Sequence, residues 1–110
     1  MVIGNGLVAR SFGAYAKDDR FLIFASGVSN SKSSTEEDFQ REANLLREQM
    51  EAHPQMLLVY FSTTSVDDPD LLHTAYVQHK LNMEKMVRSN AHRYAIFRLS
   101  NLAGHSNNPN

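Results

Sequence analysis

The chain has 110 residues, 42% hydrophobic and 21% charged, which is the composition of one folded domain and excludes wholesale disorder. Eleven basic and twelve acidic residues leave a formal charge of −1, so no basic field is available to attract nucleic acid or a membrane surface. The lack of cysteine excludes disulfides, thiol catalysis and cysteine-held metals. No apolar run approaches the ~18–20 residues of a membrane span, and Met1 to Phe12 lacks the basic start and unbroken apolar stretch of a signal peptide. A cytoplasmic domain is expected.

Met1–Ile3 predicts a first strand, shorter than the ~5–6 residues usual for a strand. Leu7 to about Lys17 predicts a short helix that contains Gly13. Phe21–Ala25 predicts the second strand, and a polar stretch from Ser26 to Thr35 follows it. The spacing of Phe39, Ala43, Leu46 and Met50 predicts a helix over Glu36–Ala52, with Glu, Arg and Gln filling its other face. Ser34 with Glu37 offers a capping box, Glu36, Glu37 and Asp38 suit the helix dipole, and His53-Pro54 closes the helix. Met56–Phe61 predicts the third strand. Asp70, just after Pro69, is the expected N-cap of a third helix running to about Ser89, with Met83 and Met86 in its core stripe. Tyr94–Leu99 predicts the fourth strand. Each apolar run reads as a strand buried on both faces. The order β-α-β-α-β-α-β implies right-handed crossovers and an α/β, Rossmann-like parallel sheet of about four strands with three helices, forming a single domain over residues 1–110. The histidines at 53, 73, 79, 92 and 105 show no metal spacing; His73 and His79 fall on different helix faces, and solvated surface positions are expected.

Three constellations carry chemistry. Gly4-Asn5-Gly6-Leu7-Val8-Ala9 is a G-x-G-x-x-A between an apolar run and a helix. A dinucleotide needs glycines there for the tight turn and for backbone approach to its diphosphate, which the helix N-terminus receives. An ordinary strand-to-helix turn yields the same triplet, and no acidic residue ends a second strand ~20 residues on to hold the ribose. Tyr76 and Lys80 are four apart on the third helix and share a face. An ammonium beside a phenol of ordinary pKa ~10 favours phenolate and makes a group that exchanges protons near neutrality. The plainer alternative is a half-buried tyrosine beside a solvated lysine. Ser62-Thr63-Thr64-Ser65 follows the third apolar run, at the strand end where open parallel sheets bind ligands. Turn chemistry leading into Asp67, Asp68 and Pro69 is the alternative there.

Taken in this order, the three resemble the short-chain dehydrogenase/reductase superfamily, and most closely its extended branch, the NAD-dependent epimerase/dehydratase proteins that act on nucleotide sugars. VIGNGLVARSF (Val2–Phe12) is similar to the cofactor's glycine turn, and LIFASG (Leu22–Gly27) to the strand that runs along the cofactor. VYFSTTSV (Val59–Val66) resembles the strand ending in hydroxyls, Tyr76–Lys80 the Tyr-x-x-x-Lys signature, and Phe97–Gly104 the Arg-x-x-Asn-x-x-Gly run. The resemblance implies Tyr76 as acid/base, Lys80 as its partner and ribose ligand, and Thr64 as the catalytic hydroxyl, with Ser62 and Thr63 beside it. It implies NAD or NADP held by Gly4, Asn5, Gly6, Leu7, Val8 and Ala9 at the diphosphate and by Ala25, Ser26 and Gly27 at the riboses. Asn101 would lie near the substrate or nicotinamide.

The departures are specific. Family members usually carry two more strand-helix units before the Phe21–Ala25 strand, and with them the residue that selects NAD or NADP. Asp67-Asp68 stands where Tyr-Gly is usual. The C-terminal substrate-binding region does not follow within this sequence, so a fragment or a minimal form is expected. Family order would place the strands 1-2-3-4, with all helices on one face and the other bare, from which a homodimer or missing chain would follow. Handedness and burial also permit 2-1-3-4. The expected activity is NAD(P)-dependent epimerase, dehydratase or reductase chemistry on a nucleotide sugar. A non-catalytic dinucleotide-binding module and an α/β interaction domain without cofactor are the alternatives.

Overall fold

The apolar runs pair into one four-stranded, all-parallel sheet in a computed structural model of the chain, which describes residues 1–4, 6–26 and 36–100. The strands β1 (Val2–Ile3), β2 (Phe21–Phe24), β3 (Leu57–Thr63) and β4 (Tyr94–Leu99) lie side by side in chain order. Strand order is therefore 1-2-3-4 and not 2-1-3-4. The helices are α1 (Leu7–Ser11), α2 (Glu36–Ala52) and α3 (Ala75–Asn90).

Register fixes which side chains share a face. Ile3, Phe24, Tyr60 and Ile96 form one row across the sheet. That row faces the helical layer, where Leu46 and Met50 of α2 and Met83 and Val87 of α3 close a core over Leu22, Phe24, Leu58 and Tyr60. The alternate row, Val2, Ile23, Val59 and Ala95, faces the other way. There Phe12 stacks at 5.5 Å from Phe61 and Tyr15 sits edge-on to Phe21 at 6.1 Å. The segment after α1 thus covers part of the face that α2 and α3 leave alone, over β2 and Phe61 of β3. Neither a wholly bare face nor strands buried on both sides is found. Over β3 and β4 an apolar groove of about 370 Å³ stays open, with Val59, Phe61, Phe97 and Leu99 in its lining, and Phe97 is 50% exposed.

This arrangement makes one connection unusual. All three crossovers step in the same direction across the sheet, yet the first lies on the opposite face to the other two, so it has the opposite hand. Parallel crossovers are right-handed in about 98% of cases, and the β1-to-β2 connection is the exception here.

Local chemistry moved two boundaries. The first helix stops at Ser11 instead of Lys17 and gives way to a 3₁₀ turn, Gly13–Tyr15. Glycine inside a helix costs ~1 kcal/mol, and no side chain caps the start of α1. The third helix begins at Ala75, not near Asp70. Thr74 is its N-cap, with Oγ1 accepting the Val77 N–H at 3.3 Å. Asp70 belongs to the preceding turn, where Asp68 Oδ1 accepts its N–H at 2.9 Å. The bounds of α2 are those the periodicity predicts, while Ser34 of the expected capping box lies outside the described residues. Among the described residues no helix is long and apolar enough to cross a membrane.

The two sheet faces should differ sharply in what they contribute to stability. Leu58→Ala, at 2% exposure in the core, is expected to cost ~2–5 kcal/mol. Phe97→Ala on the open groove is expected to cost under ~1 kcal/mol. Urea unfolding midpoints at constant m-value measure both.

Candidate functional site

A parallel sheet gathers the carboxyl ends of its strands along one edge. Gly4 follows β1, Ala25 and Ser26 follow β2, Ser62 to Thr64 end β3, and α3 begins above that end. β1 and β3 are two strand spacings apart, about 10 Å, a gap that one dinucleotide can span. Asn5, Gly27 and Asn101 lie outside the described residues.

The two glycines of the turn serve different ends. Gly4 has φ +119°, and a Cβ there would stand 2.7 Å from Ala25 O and 3.0 Å from Ser26 N. Its glycine is required by the contact of the β1 and β2 ends, whatever binds nearby. Gly6 has an ordinary φ of −83°, and a Cβ on it would meet nothing within 4 Å. Folding places no demand on Gly6, and open room at its Cα is what close approach of a ligand to backbone needs. Beside it Leu7 is exposed, Val8 half-buried and Ala9 buried. The described part of the turn thus leaves room beside the backbone at Gly6. Gly4→Ala is expected to destabilise by ~2–4 kcal/mol. Gly6→Ala should stay within ~0.5 kcal/mol yet weaken nucleotide binding, as thermal melts with and without NADH would report.

The hydroxyl cluster divides in the same way. Thr64 is its exposed member, while Ser62, Thr63 and Ser65 are buried. Thr63 Oγ1 accepts the Ser65 N–H at 3.1 Å and caps the 3₁₀ turn Thr64–Asp67. Ser62 Oγ is enclosed without a partner at hydrogen-bond geometry, though it lies close enough to favour the charge of Glu84. Of the four hydroxyls, Thr64 is the one open to solvent.

Tyr76 and Lys80 are together, as their spacing requires. Lys80 Nζ lies 5.9 Å from the Tyr76 ring centroid. The lysine is not solvated: it is 3% exposed and donates to Glu42 Oε2 at 3.2 Å and to the Tyr60 hydroxyl at 3.0 Å. Tyr60 donates to the same Glu42 oxygen at 2.7 Å, and Glu42 Oε1 meets His79 Nε2 at 2.7 Å. An ionised carboxylate only accepts, so that histidine nitrogen carries the proton. His79 is buried and stacked on Phe39 at 4.4 Å, which corrects its expected surface position.

Electrostatics in this cluster run against the expected activation of Tyr76. Burial, and then the charge of Glu42, push the phenol up to about 12 instead of lowering it. Burial alone would raise Glu42, but the His79 hydrogen bond, the Lys80 charge and the Tyr60 hydroxyl outweigh it and bring the carboxyl down to about 2. Tyr60 is pushed well above the usual phenol range by burial and by Glu42.

A second buried carboxylate ties down β4. Arg98 donates to Glu84 through Nε at 3.1 Å and Nη2 at 2.9 Å, and reaches Asp67 at 3.2 Å, while Arg88 adds a bond to Glu84 at 3.1 Å. Burial pushes Glu84 up, but its partners, Arg98 first, hold it below the usual carboxylate range. Among the described residues no group of three or more His, Cys, Asp or Glu could hold a metal.

Glu42 and Glu84 carry no expected role in the sequence, and Tyr60 and His79 are expected only as a strand residue and a surface histidine. A signal existed for Glu42: it stands three after Phe39 and four before Leu46, on the apolar stripe and not opposite it. Compared with known proteins, the chain matches no family model, no curated protein and no solved structure.

Glu42 also sets a pH dependence. Its carboxyl titrates near 2 when folded, against 4.5 ordinarily, so its contribution is complete above about pH 5 and is lost as pH falls toward 2. The gap corresponds to roughly 3 kcal/mol. The acid branch of a stability-against-pH curve should flatten by that order in Glu42→Gln relative to the unchanged chain.

Proposed function

We propose that the chain binds NAD or NADP along the carboxyl edge of its sheet and serves hydride chemistry on a nucleotide sugar, as an epimerase, dehydratase or reductase. One observation carries the reading: Tyr76 and Lys80 pair in the first turns of α3, the helix that follows the strand end where Thr64 is exposed, and Gly6 leaves open room on the same edge of the sheet. Backbone N–H groups around Gly4 and Gly6 would hold the diphosphate, Ala25 and Ser26 would line the riboses, and Lys80 would reach a ribose hydroxyl. The nicotinamide, when bound, supplies the hydride acceptor or donor. Oxidation of a sugar carbinol to a carbonyl removes one hydride and one proton, and reduction returns both. Tyr76 exchanges the proton at the sugar oxygen, and Thr64 donates a hydrogen bond to that oxygen. A phenol at about 12 stands protonated at neutral pH, which favours the proton-giving, reductive direction.

The odd hand of the first crossover lends support. A helix on the α1 face would be right-handed if it led to a strand on the free side of β1. Family members usually carry their additional strand-helix units at that point in the chain. The sugar-nucleotide substrate rests on the sequence resemblance.

A second reading, a non-catalytic dinucleotide-binding module, is favoured by the engagement of Lys80 with Glu42 and Tyr60. Fluorescence titration with NADH and NADPH comes first, and the absence of binding by either would end both readings. Tyr76→Phe is expected to keep nucleotide affinity within about twofold and to lower turnover of a sugar nucleotide by ~10²–10⁴-fold. Full turnover by that variant would remove Tyr76 from the chemistry, and no turnover by the unchanged chain across a sugar-nucleotide panel would favour the binding module.

A further inference from the structure

The two buried carboxylates are answered differently. Glu84 is met by the guanidiniums of Arg98 and Arg88 and fastens β4 to α3. Glu42 crosses from α2 to meet β3 and the first turns of α3, where the reacting pair of the proposed function stands. Its two oxygens are divided: Oε1 takes His79, and Oε2 takes both Tyr60 and Lys80. Lys80 Nζ rests 5.1 Å from the Tyr60 ring centroid and 5.9 Å from that of Tyr76. A lysine ordinarily keeps its ammonium in water on a flexible stem; here the head is enclosed, with Glu42 as the anion beside it.

We infer that Glu42 is a positioning residue, which fixes the Lys80 ammonium between the Tyr60 and Tyr76 rings and holds both members of the Tyr76–Lys80 pair in their resting state. The inference rests on the reading of Tyr76 and Lys80 as the reacting pair. Two features of the geometry support it, and the electrostatics agree. The carboxylate shares one oxygen between Lys80 and Tyr60, and Tyr60 also accepts from Lys80, so the ammonium is held in a closed three-membered ring of contacts. The other oxygen is held by His79, whose ring is stacked on Phe39, so the carboxylate cannot turn without breaking a second buried bond. The charge of Glu42 also reaches Tyr76. Among the described residues the titratable groups facing it include Tyr60 from β3 and Tyr76, His79 and Lys80 from α3.

The test is Glu42→Gln, which keeps shape and removes charge, in the full chain with ¹³Cε-labelled lysine. Tyr76 is followed as the difference in phenolate absorbance between each protein and its Tyr76→Phe counterpart. The folded variant is expected to bring the Lys80 resonance to the position of solvated lysines and to lower the Tyr76 titration by roughly one pH unit. Both signals unchanged would overturn the inference. Should Glu42→Gln fail to fold, Tyr60→Phe removes the other acceptor of Lys80 while leaving Glu42 in place. The Lys80 resonance then stays distinct from solvated lysines if Glu42 holds it, and joins them if it does not. These signals need no substrate, so failure of the enzymatic reading, seen as no sugar-nucleotide turnover by the unchanged chain, is told apart from failure of this one. Where turnover is present, Glu42→Gln should move the pH profile of kcat, and an unmoved profile counts against a positioning role.

Discussion

A carboxylate taken out of water on the inner face of α2 constrains the rest of the helical layer. Desolvating a charge costs several kcal/mol unless opposite charge and hydrogen bonds answer it. Glu42 is answered by Lys80, His79 and Tyr60 together, and those partners come from β3 and from the first turns of α3. The carboxylate therefore fixes how α2, β3 and α3 meet at the carboxyl edge, while Leu46, Met50, Met83 and Val87 fix how they meet deeper down. Buried ion pairs are often no more stabilising than apolar residues of the same volume.

The sheet is asymmetric for a related reason. On its helix side Leu22, Phe24, Leu58 and Tyr60 are large and apolar, and the two long helices bury them. Among the described residues the opposite row is served by Phe12 and Tyr15, which reach Phe61 and Phe21. Parallel strands are usually covered on both faces, and this one is covered on one and a half. The groove over β3 and β4 and the odd-handed first crossover are two aspects of one fact: the first helical segment sits where it would serve a strand beyond β1.

Much of this was legible in the sequence, and the exceptions have physical causes. Apolar runs and the Phe39–Leu46–Met50 spacing gave the α/β class, the strands to within two residues and the bounds of α2, because burial of a periodic stripe is what makes those elements. The start of α3 was misread because Pro69-Asp70 looks like a helix entry, and the competing Asx turn at Asp68 is equally local and equally cheap. His79 and Glu42 were read as surface residues because each was judged by type. Their burial depends on a partner 37 residues away, and no local pattern carries that. Tyr76 and Lys80 were legible as a pair, but the sign of the electrostatic effect on Tyr76 was not. The spacing places the ammonium near the phenol, whereas the anion that reverses its influence comes from another helix.

That reversal bears on what the pair can do. A phenol made more acidic by an unopposed ammonium would be ready to take a proton. Burial first, and then the charge of Glu42, keep the proton on the phenol well past neutrality. For Tyr76 to accept a proton, positive charge must be added close by or Lys80 must swing out of reach of Glu42. Giving a proton needs neither. In the proposed reading, a reductive step in which negative charge grows on a substrate oxygen and draws the proton from Tyr76 is the direction that the raised phenol favours.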